Sequence, residues 1–379
     1  MAADISVRFL LLDHIQALRS QGHHVIAVCA PGPWVEDLRR QGIEMWLVPM
    51  ERELSPWRDL QSLLALVRCF RSNEFDVVHT HTPKAGLLGP LAARIAGVPV
   101  IVHTIHGLLF HDRQPRWRQR IYWIPEKITA SLSHHLLSQS REDVEVCIQT
   151  GLCSANKVRY LGNGIDLERF QPQPEDARRP IRRDLGYSEN DFVIGSVGRL
   201  VYEKGFYDLF AAAEITCAKF AQAKFLVIGP EEHDQKDAIP ATRIAELAKR
   251  GIIRFAGMQS DITKWYAAMD AFVLPSHREG IPRACMEASA SGLPVIASDI
   301  RGCREVVVNG ETGILVAMND APQLAAAIER LMKNRDEASC MGKRGRVRIC
   351  KSFNQHEVLE RLRAFYAGIG QEQEASREA

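Results

Sequence analysis

The chain predicts an α/β fold of two doubly wound parallel-sheet domains, and three observations carry that reading. Short apolar, β-branched runs alternate with amphipathic helical stretches along the whole length. The 379 residues are too many for one ordinary core and suit two. A polar, proline-rich stretch from Gln171 to Pro180 interrupts the alternation. The domains are therefore expected at residues 1–173 and 174–350.

In the first half, strands are expected at 24–30, 45–49, 76–81, 98–104, 136–139 and 158–161. Helices are expected between them at 7–21, 33–41, 56–72, 86–96 and 116–130. The second half repeats the pattern, with strands at 193–197, 224–228, 253–255, 271–274, 294–298 and 313–316. Its helices are expected at 205–219, 241–250, 262–269, 282–291 and 321–334, and a last one at 354–366. The polar tail 371–379 is expected to fray. A doubly wound domain normally opens on a strand, a tight loop and a helix. Here the first helix begins near Val7, capped by Asp4 or Ser6, and only six residues precede it. The first sheet is thus expected to lack its opening strand, a central one in the common strand orders. Either a start assigned too late or a natural truncation would leave that gap.

Composition narrows the function. The 48 basic and 46 acidic side chains leave a formal charge of +2, which argues against a strongly basic nucleic-acid binder and an acidic disordered chain. No run reaches the roughly 18 apolar residues of a membrane span. Nine scattered cysteines, with no Cys-x-x-Cys pair, fit a reducing compartment better than a disulfide framework or a zinc site. The start, Met1 to Ser6, lacks the basic and apolar regions of a secretory signal, so a cytoplasmic location is expected. Ten of the thirteen histidines fall in residues 1–140.

The strongest chemical signal runs from Pro275 to Val295. A strand ends, a loop carries Glu279 and Gly280, then Ile281 and Pro282 lead into a helix. That brings free backbone N–H groups and a positive helix end to the C-terminal edge of a sheet, a ready anion site. Glu287 lies five residues past Pro282, about 7.5 Å along the axis. Two carboxylates flanking an anion pocket suit a ligand with hydroxyls at both ends and phosphate between, which describes a nucleotide sugar. A second signal is Gly198-Arg199 followed by Lys204-Gly205. Arg199 offers a bidentate fork and Lys204 a point charge, a pair suited to a diphosphate. A lysine at a helix start opposes the dipole unless it faces an anion.

Together with Asn163-Gly164-Ile165-Asp166, these motifs resemble glycosyltransferase family 4, retaining enzymes of the GT-B architecture. The resemblance runs from about Val7 to Tyr366. It implies that Arg199 and Lys204 neutralise the donor diphosphate, Glu279 contacts the donor sugar and Glu287 holds the ribose hydroxyls. The Gly280-Ile281-Pro282 backbone would approach the sugar and phosphate. GT-B implies two domains facing across a cleft, the first taking the acceptor and the second the nucleotide sugar. Residues 351–370 would then return the last helix to the first domain. The segments His79 to Gly86 and Val102 to Gly107 look like the subgroup that builds bacterial surface polysaccharides and lipid-linked oligosaccharides. In that family a histidine at the position of His106 contacts the sugar or phosphate near the reacting centre. Lys84, His79 and His81 are weaker acceptor-side candidates. His79 and His81 share one strand face, but no carboxylate partner for a metal is evident.

No Asp-x-Asp occurs in the chain. Arg199, Lys204 and the helix N-terminus would then do the electrostatic work that a metal does elsewhere, so neither metal nor cofactor is expected. The resemblance implies same-face attack, with the departing diphosphate taking the acceptor proton. Arg113, Arg116, Trp117, Arg118 and Arg120 form a basic, aromatic helix start. Either it lies on an anionic membrane surface or its aromatics pack on the sheet. The favoured function is a cytoplasmic, peripheral enzyme moving a hexose or N-acetylhexosamine from a nucleoside diphosphate sugar, UDP-sugar first, to a lipid-linked or polysaccharide acceptor. A small soluble acceptor, or nucleotide-sugar binding without turnover, are the alternatives. No Gly-x-Gly-x-x-Gly follows a predicted strand, which disfavours a dinucleotide dehydrogenase.

Overall fold

The computed structural model describes residues 1–51, 55–110, 114–232 and 235–378, with 372–378 as backbone only. The chain divides into two units, Met1–Gly162 with Glu357–Ala379, and Asn163–His356.

The first unit holds β1 (Ile26–Cys29), β2 (Glu44–Leu47), β3 (Val77–His81), β4 (Val100–Ile105), β5 (His135–Ser138) and β6 (Val158–Tyr160). All pairs are parallel, yet they form two separate sheets, β1-β2 and β3-β4-β5-β6. Among the described residues no strand lies between β1 and β3. The first helical stretch starts at Asp4, earlier than Val7, and passes through a π-helical turn at Val7–Leu11 before Leu12–Arg19. Its cap is Ala3, without a side-chain bond, so neither Asp4 nor Ser6 takes the expected capping position. Asp4 is instead an inside partner, accepting from the amides of Ile5 and Trp34 at 2.8 and 2.7 Å.

Helix Pro83–Ala96 presses onto its sheet through glycines. A Cβ at Gly86 would meet the His103 ring at 2.4 Å, and one at Gly89 the Thr80 methyl at 2.5 Å. The last helix, Gln355–Glu378, is longer than expected and runs through the polar tail. Val358, Leu362, Phe365 and Ile369 extend its apolar stripe and pack with Leu18, Val102, Leu137 and Leu161. Arg361 adds a bond from Nε to the Leu161 carbonyl at 2.8 Å.

The second unit is one six-stranded parallel sheet of β7 (Phe192–Val197), β8 (Ala223–Ile228), β9 (Ile253–Phe255), β10 (Ala271–Leu274), β11 (Val295–Ser298) and β12 (Gly313–Val316). Its order is β12-β11-β10-β7-β8-β9, with apolar cores on both faces. The order reverses between β7 and β10, the switch point at which doubly wound sheets bind ligands.

The seam differs from the one expected. Residues 163–170 belong to the second unit, because Ile165 and Phe170 are buried there and Arg346 donates to the carbonyls of Phe170, Ala290 and Leu167 at 2.6, 2.9 and 3.2 Å. The proline-rich stretch is no linker but leads into helix Glu175–Asp184. Arg178 and Arg182, one turn apart, anchor that helix to the bend before β10. Arg182 donates to the Asp270 carboxylate at 2.8 Å and to the carbonyls of Ala268, Ser188 and Asp191 at 3.1, 3.1 and 2.8 Å. Asp270 also accepts from the Val193 amide at 2.8 Å, so one carboxylate aligns the adjacent strands β7 and β10. Replacing Arg182 removes the side-chain donor from the Ala268 and Asp191 carbonyls and one of the two arginines on that carboxylate, which keeps Arg178 and the Val193 amide. Arg182→Met should therefore cost about 2 kcal/mol, read as a lowered urea midpoint at unchanged slope.

Candidate functional site

The two strongest motifs leave the C-terminal ends of β7 and β10, which are hydrogen-bonded neighbours with Phe272 in register with Gly195. After β7 the chain passes Gly198 and Arg199, makes a 3-10 turn at Tyr202–Lys204 and enters helix Phe206–Cys217 through Gly205. Gly205 has φ 71°, and a Cβ there would sit 1.9 Å from the Pro275 carbonyl oxygen. That contact holds the two loops together, and only glycine permits it.

Lys204 Nζ donates to Glu279 Oε1 at 2.6 Å, and Ser276 Oγ donates to the same oxygen at 2.8 Å. The lysine is 22% exposed and the carboxylate 11%, so the pair is partly shielded but reachable. The misfit of a lysine beside a helix start is resolved by this anion partner. A Cβ at Gly302 would lie 1.6 Å from the Gly280 carbonyl, so the helix Arg301–Val306 crowds the Glu279-Gly280 turn from behind. Pro282 is the residue before the helix Arg283–Ala290 rather than its first residue. Ile281 is buried in the core beneath the loop.

Glu287 lies inside that helix and is nearly buried. Its Oε2 accepts from Tyr266 Oη at 2.9 Å and its Oε1 from Arg283 Nε at 3.0 Å. Burial and the Glu287 carboxylate both push the Tyr266 phenol well above its ordinary pKa, so it stays a donor. Arg199 is about a third exposed, its guanidinium 3.6 Å from Glu232. Glu279 and Lys204 thus come together directly, while Arg199 and Glu287 have separate partners.

Sequence reasoning missed Ser276, Tyr266 and Arg283. Arg283 was within reach, since arginine and glutamate four apart on a helix are neighbours. Ser276 and Tyr266 carried no distinguishing pattern.

In the first unit His79, His81 and His106 do assemble. His81 Nδ1 lies 2.9 Å from His106 Nε2, and the His79 and His81 rings stack at 4.3 Å. His79 also meets Tyr366 Oη at 2.9 Å and Thr104 Oγ1 at 2.7 Å. Thr82, just past β3, has φ 67° and ψ 150°, a region costing a non-glycine residue about 1–3 kcal/mol. Burial lowers the pKa of His106 to about 4 and that of His103 to about 3, and it lowers His79 and His81 well below 6.5. All four are neutral at pH 7. Lys84 is largely buried and paired with Asp59 at 2.5 Å, which offsets the cation expected to face an acceptor.

Helix Arg116–Leu132 exposes Arg116, Arg118 and Arg120 together with Ile121, Tyr122, Ile124 and Ile128. Trp117 is 60% exposed, whereas Trp123 packs inward. Arg113 lies outside the described residues, as does His111. No helix among the described residues is long and apolar enough to cross a membrane.

Comparison with known proteins bears on both units. The family described as glycosyl transferases group 1 matches residues 177–348, and glycosyltransferase family 4 matches residues 9–169. A capsular polysaccharide biosynthesis glycosyltransferase, CapM of Staphylococcus aureus, is 30% identical over 94% of this chain and 93% of its own. A UDP-Gal:alpha-D-GlcNAc-diphosphoundecaprenol alpha-1,3-galactosyltransferase of Escherichia coli is 30% identical over 95% and 93%. Among solved structures, sucrose-phosphate synthase from Thermosynechococcus elongatus superimposes with a TM-score of 0.79 at 22% identity, covering 95% of this chain and 92% of that one. Anabaena HepE in complex with UDP-glucose does so at 0.77 and 20%, covering 95% of each. These likenesses establish the GT-B fold.

The buried histidines give a pH dependence with a definite sign. Their folded pKa values lie below the unfolded value of about 6.5, so the unfolded chain binds more protons between about pH 4 and 6.5. Stability is therefore full above that window and falls as pH drops through it. Each fully shifted histidine contributes up to about 1.4 kcal/mol per pH unit. Urea midpoints from pH 7 to pH 4.5 should show the fall, and His103→Gln should flatten it.

Proposed function

This chain belongs to glycosyltransferase family 4, and from that membership we propose that it moves a hexose or N-acetylhexosamine from a UDP-sugar to a lipid-linked acceptor in cell-surface glycan assembly. The carrying observation is the Lys204–Glu279–Ser276 cluster at the switch point of the second sheet. The relative that acts on a diphosphoundecaprenol-linked sugar, matched over nearly its whole length, supports the acceptor class.

In this reading the donor diphosphate lies against Lys204, Arg199 and the amides at Gly280 to Pro282. Those groups offset its charge and make the reaction independent of metal. Glu279 accepts from a hydroxyl of the donor sugar, and Glu287 from the ribose. The bond from the sugar C1 to the phosphate oxygen breaks as the acceptor oxygen bonds C1 on the same face. The acceptor proton passes to the leaving diphosphate, and configuration is retained. His106, uncharged at pH 7, serves as a hydrogen-bonding group to substrate without repelling or fixing an ion.

Lys204→Ala should weaken UDP-sugar binding roughly thirtyfold, the equivalent of about 2 kcal/mol for one charge-assisted bond. Glu287→Ala should weaken it too. The check is a thermal-shift screen of UDP-, GDP- and ADP-sugars in EDTA, followed by transfer to a polyprenyl-diphosphate sugar. No stabilisation by any of them, together with no effect of either substitution, overturns the site.

The exposed basic and apolar helix supports action at the cytoplasmic face of a membrane. Helix Pro56–Asn73 adds exposed Trp57, Leu60 and Leu64, and helix Pro83–Ala96 packs against both. Trp117→Ala combined with Arg116→Glu and Arg118→Glu should release the protein from anionic vesicles, with each lost cation worth about 1 kcal/mol. Cosedimentation at low and high salt measures it.

A further inference from the structure

Two of the nine cysteines meet at a helix end that the proposed chemistry does not use. Helix Arg141–Gln149 stops at Gly151, whose φ of 66° lets the chain turn back on itself. The amides of Leu152 and Cys153 then both donate to the Cys147 carbonyl, at 2.9 and 3.3 Å. That turn lays Cys153 over Cys147, and the two thiols are hydrogen-bonded to each other. Cys147 is fully buried in the core of the first unit, whereas Cys153 is half-buried at its margin.

Cations gather at the same turn. Lys127 Nζ donates to the carbonyls of Gly151 and Leu152 at 2.6 and 3.1 Å, immediately before Cys153 in the chain. Lys157 closes the next turn, its amide donating to the Ser154 carbonyl at 3.0 Å. The hydrogen bond from Cys147, followed by the charges of Lys157 and Lys127, holds Cys153 below its ordinary pKa despite partial burial. Cys147 is raised by its bond to Cys153, by burial and by the carboxylates of Asp143 and Glu126. One sulfur is thus the nucleophile, and the other stays protonated beside it. The narrow exposure of Cys153 admits a small oxidant rather than the disulfide of another protein.

We propose that Cys153 and Cys147 are a peroxide-reactive thiol pair, in which Cys153 takes the oxidant and Cys147 resolves it into a reversible disulfide. The Cys153 thiolate attacks one oxygen of hydrogen peroxide, and the O–O bond breaks. The departing hydroxide takes the proton that Cys153 released and becomes water, leaving a sulfenic acid. The Cys147 sulfur then attacks the Cys153 sulfur, so that the S–S bond forms as the S–O bond breaks. The Cys147 proton leaves with the hydroxide as the second water. Two thiols are oxidised to one disulfide, and one peroxide is reduced to two waters. Resolution at this stage spares Cys153 the irreversible sulfinic acid. The pair lies wholly within the first unit and does not depend on the donor-site reading.

A second bonded pair serves as an internal comparison. Cys285 and Cys303 are also hydrogen-bonded, but both are completely buried, and burial above all pushes Cys285 well above its ordinary pKa. The test treats the full chain, reduced and then freed of reductant, with hydrogen peroxide and maps its peptides by mass. The 147–153 cross-link should form at least tenfold faster than a 285–303 cross-link and should reopen with dithiothreitol. Cys147→Ser should leave Cys153 as a sulfenic acid that dimedone captures, and without dimedone as a sulfinic acid. Iodoacetamide labelling of Cys153 in the unaltered chain should reach half its maximal rate at least one pH unit below the roughly 8.5 of an ordinary thiol. The proposal is overturned if no 147–153 cross-link forms at a dose that oxidises the exposed Cys340. Equal rates for the two pairs, or a Cys153 midpoint at the ordinary value, overturn it as well. These three outcomes are read on the unaltered chain, so they stand even where a substitution at buried Cys147 unfolds it.

Discussion

The loops after β7 and β10 approach so closely that side chains are excluded where they touch. Gly205 abuts the Pro275 carbonyl, and Gly302, in the helix after β11, abuts the Gly280 carbonyl, each with room for hydrogen alone. From that constraint follows the 2.6 Å contact between Lys204 and Glu279, two residues 75 apart in sequence. Behind it, Asp270 bonds the Val193 amide and two arginines, so the strands that carry the loops are fixed in level with one another. A charged pair held this way has little freedom left to reorganise.

The sheets were legible in the sequence because buried parallel strands are short, nearly unbroken apolar runs. The twelve strands among the described residues all fall in or beside the expected windows. Helices were less legible where glycine and proline served packing rather than termination. Helix Arg335–Ser352 escaped notice because Gly342 and Gly345 break its pattern, yet Gly342 is there to meet the Gly292 carbonyl, 2.0 Å from where a Cβ would be. Pro180 likewise read as a seam, although the arginines on either side of it tie its helix to the bend at Asp270. In the site, Lys204, Glu279 and Glu287 were visible by charge placed against a helix start. Their neutral partners, Ser276 and Tyr266, carry no such mark, since hydroxyl groups gain meaning only from what they face.

The histidine-rich first half has a physical account as well. Neutral imidazole both donates and accepts, which lets it link strand to strand inside a core where a charged group would be costly. His79 joins β3 to Thr104 of β4 and to Tyr366 of the last helix, and His103 meets Thr80 at 2.9 Å in the reverse direction between the same strands. His81 and His106 repeat the motif one step closer to the strand ends.

The contact between Tyr366 and His79 spans 287 positions. The first unit is thus closed by residues made after the whole of the second, whereas Asn163–His356 is continuous in sequence. On a ribosome, the second unit has its whole sequence before the first does. The half that leaves first must wait, with Leu18, Val102 and Leu137 uncovered, until Val358 to Ile369 arrive to cover them. The order of synthesis and the order of completion run opposite ways, and a helix made after the second unit carries the burden for the chain's beginning.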